Sequence, residues 1–124
     1  MACSIRHRLE IIEGQGVAIP SLYLAGGGAH SGLWRQIVAD VSGKPNQVLQ
    51  VAESTSVAAA ILAGTGSGVY SSVESACTEL LPVAGRCEPQ PRVKAVYDDV
   101  FDVYVRLYEY TKSLWATVNQ VARF

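Results

Sequence analysis

The chain has 124 residues, of which 49% are hydrophobic and 17% charged, with a formal net charge of −1. This composition suits a globular domain, or part of one, and excludes a disordered tract. The near-neutral balance provides no basic surface for nucleic acid or an anionic membrane.

In chain order, residues 1–10 contain Arg6, Arg8 and Glu10 and no apolar h-region, so they do not read as a signal peptide. Ile5, Leu9 and Ile12 recur at helical spacing over residues 4–12, and Gly14 and Gly16 are expected to stop the helix. This short pattern opens without a capping residue, as if a longer helix had been cut. His7 on it is expected at the surface. Residues 21–25, Ser-Leu-Tyr-Leu-Ala, form an apolar run between Pro20 and Gly26 and read as a buried strand. Gly26, Gly27 and Gly28 end it. Ser31 is a plausible N-cap for a helix over residues 32–42, with Leu33, Ile37 and Val41 as its buried stripe and Gly43 as its stop.

Residues 47–51 are a second strand candidate. Ser54 or Thr55 is expected to cap a helix over residues 56–63, broken by Gly64, Gly66 and Gly68. Ser71 or Ser72 starts another over residues 73–81. Residues 83–91 are rich in proline and read as a surface connection. Residues 92–124 predict a long amphipathic helix. Its apolar stripe is Tyr97, Val100, Phe101, Tyr104, Leu107, Tyr108, Thr111, Leu114, Trp115 and Val118. The order of elements predicts an α/β fold, and two strands are too few for a sheet, so further strands are expected from outside the chain. No run approaches the length of a membrane span; the longest, residues 57–63, is mostly alanine. Cys3, Cys77 and Cys87 are odd in number and lack CxxC spacing, which favours reduced thiols in a cytoplasmic protein over a disulfide framework or zinc site.

Glycines between a strand and a helix let the backbone turn sharply and let a ligand approach it closely. The helix that follows offers free N–H groups and the positive end of its dipole. As bare pattern, Gly26–28 fits a tight turn as well as a ligand site. The Walker pattern is absent, and Gly64-Thr65-Gly66-Ser67-Gly68 follows a helix, which reads as a helix end rather than a dinucleotide fingerprint. His30 has no partners at ligand spacing. Asp98, Asp99 and Asp102 read as the solvated face of their helix.

The segment Leu24-Ala25-Gly26-Gly27-Gly28-Ala29-His30-Ser31-Gly32-Leu33-Trp34-Arg35-Gln36-Ile37-Val38-Ala39-Asp40-Val41 resembles the adenosine-binding segment of FGGY carbohydrate kinases. Within that family its wording looks most like xylulokinases; glycerol kinases usually carry asparagine where Ser31 stands. The resemblance continues through Gly43-Lys44-Pro45, through residues 53–64 and into the tyrosine-rich last helix. Ala58 stands where the family usually has glycine, a change expected to shift its helix slightly or be absorbed locally.

The resemblance implies that residues 1–124 are the C-terminal part of the kinase's C-terminal domain. The implied fold is a partial actin-like ATPase (ribonuclease H-like) domain, with short strands packed against helices and a long C-terminal helix. It implies ATP and Mg²⁺ as cofactors, with no metal site in this chain. Gly27 is expected to pack its backbone against the nucleotide, Ser31 to hydrogen-bond the adenine or ribose end, and Gly26 and Gly28 to shape the loop. Glu53 is expected to support this wall. The catalytic aspartate, a general base on the sugar hydroxyl, is expected upstream of residue 1, so the chain alone is expected to be inactive. Expected partners are ATP and ADP, a sugar (a ketopentose such as xylulose first) in the complete enzyme, and a second copy or a separate N-terminal half. Neither nucleic acid nor membrane is expected. Ile5, Leu9, Tyr23 and Leu24 are expected to be exposed where such a partner would sit.

Overall fold

A computed structural model describes residues 1–51 and 54–121. Helix α1 (Ala2–Gly14) leads to strand β1 (Leu22–Leu24) and a 3₁₀ turn (Gly27–His30). Helix α2 (Gly32–Ser42) and strand β2 (Asn46–Leu49) complete a βαβ unit, followed by helices α3 (Ser54–Gly66) and α4 (Val73–Leu80). Strand β3 (Val83–Cys87), a second 3₁₀ turn (Pro91–Val93) and helix α5 (Lys94–Val121) end the described chain. The sheet order is β1-β2-β3, with β1 and β2 parallel and β3 antiparallel to β2.

The third strand corrects the expected surface connection at residues 83–91. Val83-Ala84-Gly85-Arg86-Cys87 has little strand character of its own, and the prolines on either side mask it. It becomes a strand because β2 offers a partner, pairing Asn46 with Cys87 and Val48 with Gly85. Tertiary pairing outweighs local propensity. Among the described residues the sheet therefore has three strands, not two.

Helix α2 packs on α1 and α5 and meets β2 and β3. Its buried residues are Val38, Ala39, Asp40 and Val41. Val41 is buried as expected and Ile37 is half-buried, but Leu33 is 73% exposed. The covered face begins one turn later than expected: the first turn of α2, where Gly32 and Leu33 are exposed, adjoins the glycine turn. Asn46, fully buried on β2, donates from Nδ2 to the Arg35 carbonyl at 2.8 Å and ties the central strand to the middle of α2. Gly43 ends α2 in the left-handed conformation with φ of 67°, as the sequence predicts.

Other boundaries shift. Helix α3 already includes Ser54 and Thr55, so neither is its cap, and it runs through Gly64 to Gly66. Ala58 is exposed there, so its methyl costs nothing in packing within this chain. Ser72 caps α4, its Oγ accepting from the Ser75 N–H at 3.1 Å. Strand β1 lies at a sheet edge, and its Tyr23 is 61% exposed rather than buried. Ile5, Leu9 and Leu24 are half-buried, so of the four apolar residues expected at the surface only Tyr23 is well exposed.

His7 is also corrected. It packs edge-on to Phe101, Tyr104 and Tyr108, with ring centroids 5.6–6.3 Å apart. Next to it Arg6 lies 4.1 Å from the Phe101 ring centroid and pairs with Asp98 at 2.7 Å. Asp98 also pairs with Lys94. It is thus a tether between α1 and α5, not merely part of a solvated face, whereas Asp99 and Asp102 are exposed as expected. The expected apolar stripe of α5 is only partly covered. Phe101 is buried and Tyr97, Tyr104 and Thr111 are half-buried, but Val100, Leu107, Tyr108, Leu114, Trp115 and Val118 are exposed.

Candidate functional site at the glycine turn

Because β1 and β2 are parallel, their carboxyl ends open on the same edge of the sheet. In open α/β sheets that edge is where ligands bind. The turn after β1 supplies one side of it. Gly26 has φ of 80° and ψ of −177°, a conformation essentially closed to residues with a Cβ. Gly27 and Gly28 then open a 3₁₀ turn whose first N–H groups have no place in its own hydrogen-bond ladder. The turn closes through Ala29 N–H to the Gly26 carbonyl at 3.0 Å and Ser31 N–H to the Gly28 carbonyl at 3.2 Å.

Ser31 is the N-cap of α2, its Oγ accepting from the Trp34 N–H at 3.3 Å. That bond uses an oxygen lone pair and leaves the hydroxyl proton to donate to a ligand. Ser31, Gly26, Gly27 and Gly28 are all exposed, so the four expected site residues share one accessible turn. They differ in what they tolerate. A Cβ on Gly26 or Gly27 would meet nothing within 4 Å, so space beside the backbone is open. A Cβ on Gly28 would lie 3.2 Å from the Trp34 indole, so that glycine admits the tryptophan against the turn. Beside the turn is a cleft of about 360 Å³ lined by Ala29, His30, Arg35, Leu49, Gln50 and Val51, among others. Glu53 lies outside the described residues.

Two residues of the same segment do work that the sequence reading missed. The Gln36 amide donates to Asp40 Oδ1 at 2.9 Å and to the Glu88 carbonyl at 3.0 Å. Asp40 Oδ1 also accepts the Gln90 backbone N–H at 2.7 Å. Together they latch the strand that leads into α5 onto the back of α2. The four-residue spacing of Gln36 and Asp40 on one helix face was the available signal. Cys87 joins the latch, its thiol donating to Gln36 Oε1 at 3.2 Å. Burial, with Asp40 nearby, pushes the Cys87 thiol pKa up, which keeps it protonated and inert. All three cysteines are free.

The sequence profile of the C-terminal domain of the FGGY family of carbohydrate kinases matches residues 1–67, more than half of the chain. The chain belongs to the FGGY carbohydrate kinase family. It is 36% identical over 107 residues to an autoinducer-2 kinase of Enterobacter sp. (strain 638), covering 86% of this chain and 20% of that protein. It is 33% identical over 119 residues to a human FGGY carbohydrate kinase domain-containing protein, covering 96% of this chain and 22% of that one. Among solved structures it resembles the xylulose kinase of Rhodospirillum rubrum, with a TM-score of 0.77 and 27% identity over 93% of this chain and 23% of that one. This FGGY chain therefore spans about a fifth of the length of the relatives it matches, and its fold is a part of their actin-like ATPase architecture.

Among its described residues, no helix is long and apolar enough to cross a membrane. Nor do three or more His, Cys, Asp or Glu side chains gather into a metal-binding group among them.

Proposed function

We propose that this chain supplies the adenosine wall of an ATP site in a cytoplasmic sugar kinase. The observation that carries the reading is that Gly26, Gly27, Gly28 and Ser31 lie exposed on one turn at the carboxyl end of β1, beside its parallel neighbour β2, with open space beside Gly26 and Gly27. ATP, bound with Mg²⁺, supplies the phosphoryl group for transfer to a sugar hydroxyl. Gly27 would lay its backbone against the nucleoside. Ser31 would donate its hydroxyl proton to an acceptor on the adenine or ribose while its oxygen continues to cap α2. Gly26 and Gly28 would shape the turn, one through its conformation and the other by admitting Trp34. The acceptor sugar is proposed to be xylulose or a related ketopentose; the similarity to a solved xylulose kinase supports that choice.

Phosphoryl transfer needs a general base, phosphate-binding groups and metal held in register, and a nucleoside wall provides none of these. The isolated chain is accordingly proposed to bind ATP weakly and to turn over no sugar. A coupled ADP-release assay should stay at background, and sustained turnover would refute this.

Calorimetric titration of ATP tests the wall itself. Ser31→Gly is tolerated as an uncharged helix cap but has no proton to donate, whereas Ser31→Asn keeps both functions. Loss of one hydrogen bond should weaken ATP binding by about two- to tenfold in Ser31→Gly and leave Ser31→Asn near the parent. Equal binding by all three would remove Ser31 from the site. A second role, docking onto a separate N-terminal half, is favoured by the amount of apolar surface that α3 and α5 leave open.

A further inference from the structure

Arg35 is a cation that the described residues do not neutralise. Three lysines and arginines among them are half-buried: Arg6, Arg35 and Lys44. Arg6 pairs with Glu10 and Asp98, and Lys44 pairs with Glu13. Arg35 pairs with no carboxylate among the described residues. Its Nε is sealed from solvent and has no hydrogen-bond partner there either. Withdrawing charge from water without a counter-charge is costly, so such an orphan calls for an explanation. The residue is firmly mounted. Its carbonyl accepts from Asn46 Nδ2 at 2.8 Å, which fixes it to the central strand. A Cβ on Gly32 would lie 3.7 Å from its Nη2, and one on Gly85 would lie 3.4 Å from its Nη1. The fork therefore reaches between the first turn of α2 and β3, beside two residues with no side chain to pair with it.

Arg35 lines the cleft beside the glycine turn, where His30 and Gln50 are the other polar lining residues. No carboxylate is among the described residues that line it. The imidazole and the amide can each offer an N–H to a ligand. A cleft with several donors around an uncompensated guanidinium suits an anion with several acceptor oxygens. Phosphate has that chemistry, whereas ribose and adenine are neutral. Arg35 also stands one turn beyond Ser31, its N–H donating to the Ser31 carbonyl at 3.0 Å. Residues four apart on a helix are neighbours, about 6 Å from one another. With Ser31 against the nucleoside, the anionic group nearest Arg35 is the phosphate joined to the ribose.

We propose that Arg35 binds the nucleotide phosphate next to the ribose, with His30 and Gln50 as further donors. This rests on the adenosine-wall reading, and the test keeps the two apart. NMR titration of the whole chain with adenosine and with AMP reads weak affinities directly, and circular dichroism confirms that each variant stays folded. The parent should bind AMP about tenfold more tightly than adenosine, through charge-assisted hydrogen bonds. Arg35→Gln should bring AMP down to the level of adenosine and leave adenosine unchanged. Arg35→Lys keeps the charge but not the fork, and should fall between. The Arg35 Nε–H resonance should move with AMP and stay in place with adenosine. An AMP advantage that survives in Arg35→Gln would overturn the proposal, whatever that variant does to stability. So would equal binding of adenosine and AMP by the parent. If Ser31→Gly still weakens adenosine in either case, the wall stands without Arg35. Failure of the parent to bind both ligands would refute the wall and this proposal together.

Discussion

Of the residues in the glycine turn, Gly26 and Gly27 separate conformation from space. Gly26 combines φ of 80° with an extended ψ, so a methyl group there would be strained although nothing stands in its way. Gly26→Ala should cost about 1–3 kcal/mol in chemical denaturation. Gly27 has no positive φ, and its Cβ direction is equally open. Gly27→Ala should unfold at the parent's denaturant concentration yet lose ATP affinity, because the methyl would occupy the proposed ligand's space. The position of this turn was legible in the sequence: three glycines and a capping serine between an apolar run and a helical stripe admit few other arrangements. Its ligand was not, since the same bare pattern suits an ordinary tight turn, and only resemblance across residues 24–41 singled out adenosine. The packing of His7 was hidden as well. The rings that surround it are more than ninety positions away, and helical periodicity carries no information about such contacts.

Among the elements, α2 does the most. Its amino end carries Ser31 and its carboxyl half holds the latch to Gln90. Asp40 is 7% exposed and its Oδ1 accepts from both Gln36 and Gln90. Asp40→Ala should destabilise the fold by about 1–2 kcal/mol, since it removes a buried acceptor shared by two half-buried donors. Hydrogen exchange should localise the loss to β3 and the start of α5. An effect spread evenly over α1 and α3 would count against the latch. The latch also explains why β3 was missed. Val83 to Cys87 is a strand because of what lies on both sides of it: Val48 and Asn46 in the sheet, and Gln36 above its end. None of these neighbours is local in sequence. Helices α2 and α4, by contrast, could be read directly because a serine cap marks each start.

For the whole molecule, α1 and α5 are joined by the Arg6–Asp98 pair and the rings around His7. Hydrogen bonds from Lys94 and then Arg6 hold the Asp98 carboxyl below its ordinary range. A carboxylate whose folded pKa is depressed stabilises the fold at pH values above its unfolded pKa. That contribution disappears as pH falls through the folded value. Melting temperature should therefore drop as pH falls below about 4, and less steeply in Asp98→Asn than in the parent. Parallel curves for the two proteins would show that the pair contributes nothing. The long last helix was evident in the sequence, whereas the half of its stripe that remains uncovered was not. Periodicity identifies an apolar face without saying whether anything in the same chain covers it.

The Arg6–Asp98 contact spans 92 positions of sequence. A ribosome adding about 5–20 residues per second needs on the order of ten seconds to cross such an interval. During that time α1 can settle on α2, and the glycine turn can take shape between β1 and β2. The aromatic cluster around His7 must wait for the last helix. The glycine turn can thus take shape before α5, which packs on the far part of α2, has been made.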